Sequence, residues 1–277
     1  MVNSVYSYLQ HKPTNVLGVK EVLAFACSSS IPKALHHIST VGMLGGTLDE
    51  VFEVPLSSRH ENTGGYAQSK WVGEQLVNKF HQTTSSNVCI YRPSTIFGST
   101  ATGASNPKDT ASGMIRGLII EGMYCDSLCN PQDGKSMLPG ELNLVPVDWA
   151  ASSIISLSHT NAKGKAFHIS NGTLTNMETI IQWIEKCGYD MKKVHDFVFQ
   201  KAVEEIRHQT HPFYIFKSVI SNSGYAASID RPNVTRTSAA LSYCGGSPVQ
   251  PLSFNNFNSV IEFFEYSHLL EIDSVDT

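Results

Sequence analysis

The spacing of apolar residues alternates between helical and strand periods through the first half of the chain, which predicts an α/β arrangement. Asn15 to Ala26 (NVLGVKEVLAFA) is apolar on most sides and predicts a buried helix. A short strand is predicted at Leu35–Ser39. Gly64 and Gly65 then precede a helix from about Tyr66 to Phe80, with Val72, Leu76 and Phe80 at i, i+4 and i+8 as its core stripe. Val88 to Arg92 is a β-rich run stopped by Pro93. Further strands are predicted at Asn143–Val147 and Ala166–Ser170, with Asp148 capping a helix that runs from Trp149 to about Ser158. Thr175-x-x-Glu178 reads as a capping box for a helix carrying Met177, Ile180, Ile181 and Ile184 on one face, and Gly188 closes it. From Asp190 onward the pattern is one of helical pieces interrupted by Pro212, Pro232, Pro248 and Pro251.

Composition narrows the function classes. The 277 residues are 41% hydrophobic and 16% charged, with a net charge of −4, which is ordinary for a globular chain. Nothing implies a basic face, so nucleic acid is not an expected partner. No run of 18 apolar residues is present to span a membrane, and the first twelve residues lack the pattern of a signal peptide. The six cysteines are irregularly spaced. Cys125 and Cys129 form C-x3-C without a second Cys/His pair of zinc spacing, so the reading is reduced thiols in a cytoplasmic protein and no metal site. His36 and His37 are adjacent on a strand, point to opposite faces, and read as structural rather than as ligands. Neither G-x-S-x-G nor H-E-x-x-H occurs.

The chemistry centres on Tyr66-x-x-x-Lys70. On a helix, residues four apart share a face with Cβ atoms roughly 6 Å apart. A phenol is a poor proton donor near neutral pH, and a neighbouring ammonium lowers its pKa. The pair is thus a candidate donor for a carbonyl that accepts hydride. Upstream, the Leu35–Ser39 strand runs into Thr40, a hydroxyl at the strand end where α/β sheets place their ligands. Downstream, a second strand ends in Arg92-Pro93.

This order resembles the extended short-chain dehydrogenase/reductases. The wording around it is similar to the thioester reductase domains that end nonribosomal peptide and polyketide synthases, and to aminoadipate and carboxylic acid reductases. The stretches that carry the likeness are Gly64-Gly65-Tyr66-Ala67-Gln68-Ser69-Lys70, Arg92 to Gly98 continuing through Thr102-Gly103-Ala104-Ser105-Asn106 to Asp109, Leu144 to Trp149, and Asn15 to Gly18. The resemblance runs from about Val2 to Asn171 and weakens afterwards. It implies that Tyr66 protonates the carbonyl oxygen, that Lys70 tunes Tyr66 and binds the nicotinamide ribose, and that Thr40 orients the carbonyl. It implies that Pro93, Ser94, Thr95 and Ile96 lie along the nicotinamide of NADPH, and that Thr102, Gly103 and Asn106 help form the channel for a phosphopantetheine arm. The implied reaction is reductive release of a carrier-bound thioester to an aldehyde or alcohol, and the implied partner is an acyl or peptidyl carrier domain.

The implied fold is the C-terminal part of a Rossmann-type doubly wound parallel sheet with a smaller, mostly helical substrate lobe. Residues 1–171, including a 99–142 loop insertion, would form the partial dinucleotide-binding, catalytic part, and 172–277 the substrate lobe, in one structural unit. The chain departs from the family pattern at one point. No Gly-rich turn precedes Asn15, and Gly42-x-x-Gly45-Gly46 does not open a helix as a phosphate loop should. The first four strands of such a fold are therefore expected to be missing, as in a fragment. Without them the Leu35–Ser39 strand becomes an open edge prone to self-association. The competing readings are a remnant that binds a carrier or partner chain without redox chemistry, and another extended short-chain reductase or epimerase, which the Thr102–Asn106 loop disfavours.

Overall fold

A computed structural model describes residues 1–2, 6–44, 52–54, 64–129, 135–136, 138, 140–160, 164–217, 225–226 and 232–271. The chain divides into two compact units built from interleaved segments. The first holds Met1–Ser94, Trp149–Gly172 and Asp230–Gln250; the second holds Thr95–Asp148, Thr173–Ile229 and Pro251–Thr277.

The first unit is organised on a parallel three-stranded sheet in the order β1 (Leu35–Ile38), β2 (Val88–Pro93) and β6 (Lys165–Ile169). β2 is central and every residue in it is buried, as a parallel strand covered on both faces requires. Tyr91 stacks on Phe167 of β6 at 6.1 Å between ring centroids. The chain enters through a short helix α1 (Tyr8–Lys12), a π-helical turn at Pro13–Leu17, and helix α2 (Gly18–Ala26). The long helix α3 (Gly65–Thr84) follows β1 and ends on Ser85 in the left-handed region. Val77 of α3 joins Val88, Ile90 and Ala166 in a core cluster, where burying each larger aliphatic side chain contributes roughly 1.5–3 kcal/mol.

Two sequence expectations change here. The Asn15–Ala26 helix, apolar on most sides, is expected to be buried; Asn15 and Val16 are, yet no residue of Gly18–Ala26 is. Val19 and Leu23 pack on the core cluster, while Val22 and Phe25 stay 50% and 65% exposed. The reason is topological: among the described residues β1 pairs only with β2, so the sheet offers α2 no further surface. In α3, the expected stripe Val72, Leu76 and Phe80 is only half-buried. The buried face is Ala67, Ser69, Gly73, Glu74, Val77 and Asn78. Small residues and an ion pair, rather than large apolar groups, make the deep contact. At Gly73 a Cβ would sit 3.0 Å from the Asn15 carbonyl oxygen.

In the second unit, β3 (Thr95–Phe97) pairs in parallel with β5 (Leu144–Pro146), and β4 (Met123–Cys125) pairs in parallel with β7 (Lys192–Val194). Around them lie α4 (Thr110–Glu121), α6 (Met177–Lys186), α7 (Asp196–Glu205) and α9 (Phe254–Tyr266). Met114, Ile115, Leu118, Ile180, Ile184, Phe213 and Phe257 belong to one apolar core, and Trp183 packs against it. The cap of α6 is Asn176, whose side chain accepts from Thr179 N at 2.8 Å, rather than Thr175. Thr175 and Asn176 instead form a two-residue strand with Glu141 and Leu142. Gly188 closes α6 at φ 97°, a conformation glycine adopts without strain. Helix α5 (Val147–Ser158) belongs to the first unit from Trp149 onward, as does α8 (Thr235–Tyr243).

Candidate active site

Thr40, Tyr66 and Lys70 converge at the C-terminal end of β1 in the first unit. Thr40 is the residue on which the chain leaves β1, in extended conformation, and it caps a short 3-10 turn at Val41–Met43. Its hydroxyl accepts from Gly42 N at 3.1 Å and donates to the Pro93 carbonyl at 3.4 Å, tying the ends of β1 and β2 together. The expected Gly42-x-x-Gly45-Gly46 segment lies partly outside the described residues. Tyr66 sits in the first turn of α3 and shares a side-chain hydrogen bond with Thr40. Lys70, one turn further along, donates from Nζ to the Ile38 carbonyl at 2.6 Å.

The electrostatics follow from these contacts. Burial pushes the Tyr66 phenol above its ordinary value, and the Thr40 hydrogen bond opposes that rise. The net direction is the reverse of what a neighbouring ammonium alone would produce. Burial lowers the Lys70 pKa, and the carboxylate of Glu74 opposes it. His37 lies on β1 beside this group. Burial, helped by the charge on Lys70, pulls it down to about 4 and keeps the ring neutral at physiological pH. His36, facing the other way, meets the Tyr91 hydroxyl at 3.0 Å.

Behind the helix lies a buried polar network that the sequence did not reveal. Arg92 and Glu74 are both 0% exposed and paired at 2.5 Å. Arg92 Nε donates to the second Glu74 oxygen at 3.1 Å, its Nη2 to the Val54 carbonyl at 2.9 Å, and its Nη1 meets His168 Nε2 at 3.1 Å. His168 Nδ1 meets the Asn233 carbonyl at 2.8 Å, a geometry suited to a neutral ring that donates from Nδ1 and accepts at Nε2. Burial, then the charge of Arg92, pulls this histidine down to about 3. Glu53 adds a second knot, accepting from the backbone of His168, Arg236 and Thr237. Glu74 was discoverable: it lies four residues beyond Lys70 and eight beyond Tyr66, on one helix face.

The remaining expected residues are placed as follows. Ser94 N donates to the Ile169 carbonyl at 3.0 Å, so Pro93 and Ser94 close the first unit's sheet. Thr95 and Ile96 are strand residues of β3 in the second unit, paired with Leu144 and Val145. Thr102, Gly103 and Asn106 lie on the loop after β3. Gly103 has φ 68° and its missing side chain lets the loop meet the backbone at Ser259 and Val260 of α9. Thr102 Oγ1 accepts from Ala104 N, and Asn106 Oδ1 from Lys108 N. Thr102 and Asn106 are exposed at the loop surface. Asp148, expected as a helix cap, lies inside the first turn of α5 instead. Its carboxylate holds the loop, accepting from Ser99 Oγ at 3.1 Å, Thr100 N at 2.8 Å and Thr100 Oγ1 at 2.6 Å. Asp109 caps α4 through Ser112 N at 2.7 Å.

The family model of an NAD-binding domain described as male sterility protein matches residues 1–154. The chain belongs to that family. It is 30% identical over 214 residues to a linear gramicidin synthase of Brevibacillus parabrevis, a match that covers 74% of this chain and 4% of that protein. It is 31% identical over 182 residues to an aldehyde reductase of Aspergillus flavus, covering 61% of this chain and 16% of that protein. The chain thus spans a small part of the length of these relatives. Its fold is similar to the crystal structure of the terminal R domain from the myxalamid PKS-NRPS biosynthetic pathway, with a TM-score of 0.82 at 22% identity, over 100% of this chain and 68% of that one. The architecture is accordingly of the Rossmann-type α/β class. Among the described residues no helix is long and apolar enough to cross a membrane.

Proposed function

We propose that this chain carries the catalytic residues of an oxidoreductase that reduces the carbonyl of a carrier-bound thioester, using NADPH, to an aldehyde or alcohol. The observation that supports it most is the convergence of Tyr66, Thr40 and Lys70 at the end of β1. The similarity to a gramicidin synthase and to an aldehyde reductase agrees with it.

The donor set suits the reactive half of a dinucleotide: an ammonium, a phenol and a hydroxyl at one strand end. Lys70 and Tyr66 would hold the nicotinamide ribose, with the backbone of Pro93 and Ser94 beside the ring. Bound there, the reduced nicotinamide would supply the hydride. Thr40 orients the substrate carbonyl by hydrogen bonding its oxygen. Tyr66 then donates its proton to that oxygen as negative charge develops on it. The buried phenol is protonated near neutral pH and so has a proton to give, while burial makes it a weaker acid and the Thr40 hydrogen bond offsets part of that cost. Expulsion of the thiol from the resulting hemithioacetal leaves the aldehyde.

The test is turnover of an acyl-phosphopantetheine thioester and of a simple aldehyde, followed by NADPH absorbance. Tyr66→Phe is expected to lower the rate at least about 100-fold. An unchanged rate overturns the assignment. Among the described residues β1 is paired on one side alone, and with Ile38 44% exposed and Val22 and Phe25 of α2 exposed as well this supports a second property, self-association through that edge.

A further inference from the structure

The segment before the first long helix does more than lead into the fold. His11, in α1, is completely buried, and its ring centroid lies 5.6 Å from that of Tyr66, tilted by 57°. The ring of Tyr6 also packs on the imidazole, at 5.9 Å. The backbone beneath is equally close. At Gly65 a Cβ would fall inside van der Waals contact with the backbone of Ser7 and Tyr8, so only glycine admits this approach at the residue before Tyr66. A capping box between Ser7 and Gln10 fixes the start of α1. One helical turn on, Asn15 Nδ2 donates to Ser69 Oγ at 2.9 Å, and Ser69 Oγ donates to the Tyr66 carbonyl at 2.7 Å. The side chain of Tyr66 and its backbone are therefore gripped by the same short stretch, through independent contacts.

We infer that His11 is a positioning residue for Tyr66: its flat ring forms the wall that sets the plane of the phenol and keeps water from its back face. The inference rests on the reading of Tyr66 as proton donor and names what holds that donor in place. Among the described residues, the side chain that hydrogen bonds the phenol is Thr40 at the end of β1, and Lys70 lies one turn along α3. Neither can set the ring plane, because Thr40 reaches only the hydroxyl and Lys70 is bonded to the Ile38 carbonyl. Removing the wall would let the ring rock and admit water. A misplaced donor slows proton transfer without weakening substrate binding.

The experiment compares the full 277-residue chain with His11→Ala, His11→Leu and His11→Phe. Tyrosine is replaced by 3-fluorotyrosine, and the Tyr66 fluorine resonance is assigned by its loss in Tyr66→Phe. In His11→Ala, the ionisation midpoint of Tyr66 is expected to fall toward the ordinary phenol value, because burial is what raises it. The kcat is expected to fall about tenfold or more with KM within about twofold. His11→Phe, which restores a flat ring, is expected to return both. A folded His11→Ala chain with the Tyr66 midpoint and kcat of the native chain overturns the inference. So does a variant that melts earlier yet keeps the midpoint. Should the alanine variant fail to fold, His11→Leu carries the same expectation, since it keeps volume and loses the ring. If the native chain reduces no substrate, the reductase reading fails, and the fluorine titration still decides the role of His11.

Discussion

Tyr66 keeps its proton because its surroundings favour the neutral phenol: burial raises its pKa, and the Thr40 hydrogen bond recovers only part of the difference. Reduction should therefore hold its rate through neutral and mildly alkaline pH. It should decline only above the ordinary phenol value of about 10, as a pH–kcat profile will show. The Glu74–Arg92 pair gives a second expectation at this scale. Both partners are fully buried, so removing one strands the other charge away from water. Arg92→Met alone should cost about 3–5 kcal/mol in denaturant unfolding. The double variant Glu74→Leu with Arg92→Met should recover a large part of that loss. The sequence showed Tyr66, Lys70 and Thr40 because their spacing and order are local. His11 left no such trace, since a single histidine acquires meaning only from what the fold packs against it.

The helix carrying Tyr66 was legible as an element, but not its orientation. Periodicity pointed to Val72, Leu76 and Phe80, whereas the deep face uses Ala67, Gly73 and Glu74. Apolar period locates a core face only where the core is made of large apolar groups, and here close backbone approach and an ion pair replace them. The same limit applies to Asp148: an acid before a helix signals a cap, yet this one holds the 99–100 loop. Glycines make this element-level dependence testable. Gly65→Ala should destabilise the chain by at least about 1 kcal/mol and lower kcat, since the added Cβ pushes residues 7–8 away from Tyr66. Gly103→Ala combines positive φ with a backbone clash at Ser259 and should be at least as damaging to the second unit. Thermal unfolding with parallel kinetics distinguishes the two, because only the first substitution touches the packing around the proton donor.

For the molecule as a whole, the parallel α/β class and the strands β1, β2, β5 and β6 were readable from patterning, while β3, β4, β7 and the interleaving of two units were not. Chain segments far apart in sequence, Met1–Ser94 and Asp230–Gln250 among them, meet through side chains such as Glu53 and Thr237 that carry no local signal. Acid sensitivity should follow from two neutral histidines in the first unit. His37 and His168 have folded values of about 4 and about 3, below the ordinary 6.5. A base depressed on folding contributes stability above pH 6.5 and loses it as the pH falls toward its folded value. Denaturation midpoints should therefore drop steadily from about pH 7 to about pH 4, and His168→Gln should flatten that slope. Self-association through β1 should likewise weaken when Phe25→Glu and Ile38→Lys are introduced, read by sedimentation. The most direct test of the account is a fluorescence titration of NADPH into the 277-residue chain and its Lys70→Ala variant. Saturable binding at about micromolar levels, lost or much weakened in the variant, is the expected result. A folded chain that does not bind NADPH, or binds it equally well without Lys70, would contradict it.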